Sequence, residues 1–107
     1  MEKQQRIYIS VPMQGREISE IIAEERDLCA KLDKYVQNAV YVLPTDLKVI
    51  CEGIWDKPKY GHFLGFDISV ILEDCTAVAV GKNWRESKGC RAELAISEIY
   101  DKKIIYL

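Results

Sequence analysis

The chain has 107 residues, room for one compact domain (1–107) and not two. Apolar residues make up 49% of it, so a packed core is expected rather than disorder. The formal net charge is −2 with lysine and arginine scattered along the chain, which sets nucleic-acid polymers aside as partners. No apolar run reaches the roughly 18 residues of a membrane span. Residues 1–6 lead into a β-rich segment without a secretory apolar stretch, so a soluble cytoplasmic protein is expected.

The segment from Arg6 to Val11 is rich in β-formers and stops at Pro12, which predicts a buried first strand. Pro12 to Arg16 reads as a loop. From Ser19 to Asn38 the spacing of Ile21, Ile22, Leu28, Cys29, Leu32, Tyr35 and Val36 predicts an amphipathic helix. Glu25 falls inside that apolar stripe, and the reading adopted for it is a helix overhanging the sheet edge. Ala39 to Leu43 is the second strand, stopped by Pro44. A long irregular segment to about Gly61 follows, of a length that is functional or carries a short helix of its own. His62 to Asp74 predicts a second helix, Thr76 to Val80 a third strand, Lys88 to Tyr100 a third helix, and Lys103 to Leu107 a fourth strand.

Alternating strands and helices predict an α/β, Rossmann-like three-layer fold with a small parallel sheet in the order 2-1-3-4. The topological switch point then lies between strands one and three. The loops Val11–Glu17 and Gly81–Ser87 meet there in one crevice.

Several residues at that crevice carry chemistry. Ser87 and Gly89 sit where a helix N-terminus offers free N–H groups to an anion. Glu93 lies one helical turn after Gly89, on the same side. Asp67, among Phe63, Leu64, Phe66, Ile68 and Val70, also points toward the sheet, and two converging carboxylates would divide attack from proton handling. Tyr8, inside the first strand, needs a partner for its hydroxyl, and the switch-point carboxylates are in reach. Ser10 and Gly15 belong to the first loop. Trp84 and Trp55 suit stacking on a base, and equally the closing of a core or a subunit interface. His62 fits a helix start better than a catalyst. Cys29, Cys51, Cys75 and Cys90 form no C-x-x-C pair, so their spacing makes no zinc site and reduced, buried thiols are expected; Cys90 stands beside the anion turn.

Taken together, Ile7-Tyr8-Ile9-Ser10-x-Pro12-Met13-x-Gly15, then Asp67, then Asn83-Trp84-x-x-Ser87-Lys88-Gly89-x-x-x-Glu93 resemble the nucleoside 2-deoxyribosyltransferase superfamily, in its small bacterial and phage branch. The S-x-G-x-x-x-E pattern is also similar to that of 2′-deoxynucleoside 5′-phosphate N-hydrolases. The resemblance runs from Arg6 to Leu107. It implies Glu93 as the nucleophile at the anomeric carbon, Asp67 as the acid near base and sugar, and Tyr8 as the residue orienting the nucleophile. It implies Ser10, Pro12, Met13 and Gly15 of the first loop, with Ser87, Gly89 and Trp84, as substrate-binding residues. It further implies a small nucleoside or nucleotide as substrate, a homodimer or larger homo-oligomer, and no metal or organic cofactor. Val11 stands where the family's first loop has glycine, and the transferases' additional C-terminal region is not found in this sequence. A nucleotide-binding module without turnover would use the same crevice.

Overall fold

The computed structural model describes residues 4–107; the lead-in at residues 1–3 lies outside them. Four strands, β1 (Gln5–Ser10), β2 (Ala39–Val42), β3 (Ala77–Val80) and β4 (Lys103–Tyr106), form one sheet in the order β2-β1-β3-β4. All three pairings are parallel, with Tyr8 opposite Val42 on one side and Val78 on the other. The helices are α1 (Ile18–Asp33), α2 (Pro44–Ile54), α3 (Tyr60–Asp74) and α4 (Lys88–Ile99), with a short 3-10 turn at Trp84–Glu86. The fold class and strand order are those expected from the sequence.

Handedness decides which face each helix covers. The β1-to-β2 step runs toward one edge of the sheet, while the β2-to-β3 and β3-to-β4 steps run toward the other. Right-handed crossovers therefore send α1 to one face, and α2, α3 and α4 to the opposite face. Alternation along the strands supplies each face with its own core. Ile7, Ile9, Ala77 and Ala79 pack with Ile21, Leu28 and Leu32 of α1. Tyr8, Val78 and Val80 pack with Leu47, Ile71 and Leu94 of the other three helices. Fully burying a side chain such as Ile71 stabilises the fold by about 2 kcal/mol.

Several boundaries differ from expectation by one to five residues. Helix α1 stops at Asp33 rather than Asn38, and Asn38 turns the chain into β2 with a left-handed φ of 55°. Val36 still packs on the core from the connecting segment, which is why the helical spacing ran on too far. The segment after Pro44 carries α2, with Pro44 in the first turn where its missing N–H costs nothing. Helix α3 begins at Tyr60, and the His62 Nδ1 accepts the Lys59 backbone N–H at 3.0 Å, so His62 does serve the helix start. Strand β1 keeps its length but is shifted back by one residue, to Gln5–Ser10, while β2, β3 and β4 are each one residue shorter, without Leu43, Thr76 and Leu107.

Glu25 corrects a larger expectation. It does not overhang the sheet edge; it is 1% exposed. Its carboxylate accepts the Thr45 backbone N–H at 3.0 Å and the Thr45 hydroxyl at 2.7 Å. It thereby satisfies the N-terminus of α2 from a different helix. Among the described residues no helix is long and apolar enough to cross a membrane, and all four cysteines are free thiols.

Candidate functional site

The site forms where β1 and β3 end, on the face covered by three helices. Tyr8 and Ser10 share strand parity, so both side chains rise from β1 toward α4. Glu93, on the second turn of α4, comes down to meet them and is 5% exposed. The Tyr8 hydroxyl lies 2.8 Å from Glu93 Oε2, and the Ser10 hydroxyl donates to Glu93 Oε1 at 2.8 Å. Asp67 reaches the same phenol from α3, its Oδ2 being 3.0 Å from the Tyr8 oxygen. Helix α4 is capped by Ser87, whose Oγ accepts the Cys90 backbone N–H at 3.2 Å.

Above this trio lies a cavity of about 180 Å³, of small-molecule size. Tyr8, Asp67, Glu93, Ser87, Gly89 and Met13 all line it. Both carboxyls therefore face one space beside the Ser87–Gly89 turn. Val11, Gln14, Pro44, Lys48, Tyr60, Phe63, Leu64 and Cys90 complete the wall. Gly89 lies close to Tyr60: a Cβ there would stand 3.2 Å from the Tyr60 hydroxyl, near enough to shift that side chain.

Burial dominates the electrostatics. It pushes the Glu93 carboxyl up to about 7, with the Asp67 charge adding to the rise and the Tyr8 and Ser10 hydrogen bonds opposing it. Burial also lifts Asp67 to about 6 against the Tyr8 hydrogen bond. The Tyr8 phenol is held well above its usual range, by burial first and by the two carboxyls after it, so it stays protonated. Burial raises the Cys90 thiol as well, which makes it a poor nucleophile despite its place in the wall.

Other expected site residues fall elsewhere. Ser10 is fully buried beneath Glu93 and does not line the cavity. Pro12 does not line it either; its carbonyl accepts the Arg16 guanidinium at 2.8 Å. Gly15 also lies off the wall and serves the turn: its φ is +74°, and the Arg16 N–H reaches the Met13 carbonyl at 3.3 Å. Trp84 is displaced from the cavity. Its ring packs on the core at 5.9 Å from Tyr106 with the Arg85 guanidinium over it at 4.9 Å, because the 3-10 turn directs it toward β4. Trp55 is likewise off the wall, 4.5 Å from the His62 ring. Val11 has no left-handed backbone to accommodate, so valine fits there; its side chain thickens the cavity wall.

Sequence reasoning missed Lys48, Phe63, Leu64 and Tyr60 as wall residues. The signal for Lys48 was present: Pro44 at a helix start, then Leu47, Cys51 and Ile54 at helical spacing, with a Lys48–Glu52 pair four residues apart.

These features define a Rossmann-like α/β domain with two carboxyl groups turned into one cavity at the switch point. Its family follows from direct comparison. The chain belongs to the family described as "Domain of unknown function (DUF4406)", whose model matches residues 5–106. No curated protein and no solved structure matches the chain.

Proposed function

We propose that this protein cleaves or transfers the N-glycosidic bond of a small (deoxy)nucleoside or nucleoside 5′-monophosphate. Glu93 attacks C1′, Asp67 protonates the departing base, and water or a second base resolves the glycosyl ester on Glu93. The observation that carries this reading is the junction of Asp67 and Glu93 on one buried phenol, inside one cavity. Paired carboxyls in a dry wall suit a reaction that needs one as anion and one as acid. Phe63, Leu64 and Met13 offer apolar wall to a base, while the start of α4 offers backbone N–H groups to the sugar or its phosphate. Ser10 keeps Glu93 turned toward the cavity.

The resemblance extends the proposal to a homodimer or larger assembly. The exposed Val49, Ile50 and Ile54 on α2 support it as apolar surface in search of cover. A cytoplasmic location accords with the four free thiols.

Incubation with deoxynucleosides and their monophosphates, read for free base, tests the reading. Wild type should release base and Glu93→Ala should not. Equal release by both removes Glu93 from the mechanism. Nucleotide binding seen by thermal shift without any base release would identify a binding module instead.

A further inference from the structure

We propose that Asp67, Tyr8 and Glu93 hold one proton between the two carboxyls, and that the Tyr8 hydroxyl passes it from Glu93 in the empty site to Asp67 in the loaded one. The sharing stands on geometry, while its use in turnover rests on the N-glycosidic reading above.

The Tyr8 oxygen contacts Glu93 Oε2 at 2.8 Å and Asp67 Oδ2 at 3.0 Å. A phenol has one hydrogen to give. With both carboxyls ionised, that hydrogen would serve one of them and leave the other as bare oxygen against oxygen. With one carboxyl protonated, both contacts become hydrogen bonds: the acid donates to the phenol oxygen, and the phenol donates to the remaining carboxylate. Among the described residues neither carboxyl forms an ion pair. Lys48 is the one cation in the wall among the described residues, and its ammonium pairs with Glu52 at 3.1 Å. The other titratable groups facing the trio are Cys51 of α2, Tyr60 of α3 and Cys90 of α4, and burial keeps both thiols protonated. Strand β3 presents only Val78 and Val80 on that face.

Burial decides where the proton rests. Glu93 is 5% exposed whereas Asp67 is partly open to the cavity, so the remaining negative charge is better solvated on Asp67. Burial raises both carboxyls, and the Asp67 charge raises Glu93 further, in the same sense. That resting state is the wrong one for attack. A substrate in the cavity displaces water from Asp67 and brings a carbon that becomes positive near Glu93, which reverses the preference. One proton then moves from Glu93 Oε2 to the Tyr8 oxygen as the Tyr8 proton moves to Asp67 Oδ2. The phenol is regenerated, net charge is unchanged, and the site holds an anionic nucleophile with a loaded acid.

Carbon-13 NMR titration of the side-chain carboxyls in the free protein tests the sharing without any need for turnover. In wild type, the Asp67 and Glu93 signals should each show both titration steps, because the pair titrates as a unit. Asp67→Asn should lower the Glu93 midpoint by about one unit or more, and Glu93→Gln should lower the Asp67 midpoint by the same amount. Tyr8→Phe, checked for folding by circular dichroism, should narrow the gap between the two steps, since the bridged one-proton state is lost. Independent single-step titrations in wild type overturn the proposal. So does an Asp67→Asn protein whose Glu93 midpoint is unmoved, a comparison that needs no folded Tyr8→Phe. An unchanged gap in folded Tyr8→Phe removes the phenol from the exchange. Coupled titration without base release would sink the N-glycosidic reading and leave the sharing intact.

Discussion

The phenol of Tyr8 and the carboxyl of Glu93 lie 2.8 Å apart across 85 residues of chain, on the first strand and the last helix. That contact ties the sheet to α4 at the point where the cavity opens. It also makes the cavity sensitive to pH, since the buried partner is a carboxyl lifted far above its usual range.

Stability should therefore fall as pH rises. The folded protein holds the Glu93 proton up to about 7, whereas the unfolded chain releases it near the ordinary glutamate value of 4.5. Asp67 acts in the same direction between 3.8 and about 6. The folded state binds more protons in this window, so the contribution is full at low pH and lost by about 7. Urea unfolding from pH 5 to 8 should show the decline. Glu93→Gln should flatten it and be more stable than wild type at pH 8 by on the order of 3 kcal/mol. A steeper decline in that variant would contradict the burial account.

Asp67→Asn should cut base release from ordinary deoxynucleosides by about 10²-fold or more, as expected for loss of a general acid. A nucleoside whose base already carries positive charge, such as a 7-methylguanine deoxynucleoside, leaves without a proton. Its cleavage should be nearly unaffected by the same substitution. Equal losses on both substrates would take the proton-donor role away from Asp67.

Glu25→Ala should cost about 1–3 kcal/mol, because it removes a buried side chain and strands the half-buried Thr45 N–H and hydroxyl at the start of α2. Hydrogen exchange should quicken first in Pro44–Ile54, the helix that brings Lys48 to the wall. Uniform loss of protection across the chain would show that Glu25 supports the core in general rather than α2.

Gly89→Ala separates binding from stability. The new methyl meets the Tyr60 hydroxyl at 3.2 Å, and Tyr60, half exposed at the mouth, can swing away. Stability should stay level or rise by less than about 1 kcal/mol, since alanine favours helix. Under the proposed activity KM should rise severalfold with kcat little changed, measured in steady state. An intact KM would place the Tyr60 end of the cavity outside the binding site.

Much of this was legible in the chain because the relevant signals are local. The two-residue period put Tyr8 and Ser10 on one face of β1, and the one-turn spacing put Gly89 and Glu93 on one side of α4. Alternating elements specified strand order and switch point, since right-handed crossovers leave few arrangements open. Helix α2 was legible only as one of two readings of its segment, without bounds, because its charged pair and its exposed Val49, Ile50 and Ile54 blurred the apolar stripe.

Sequence by itself determined the sheet, the crevice and the residue types gathered near it. Tertiary structure alone decided that Asp67 and Glu93 share the Tyr8 phenol, that Glu25 turns inward to Thr45, and that Trp84 turns away to Tyr106. Periodicity tells which residues share a face, but the partner met by that face depends on how separate helices pack across the sheet. That packing is a long-range outcome, and it is what places two carboxyls on a single hydroxyl.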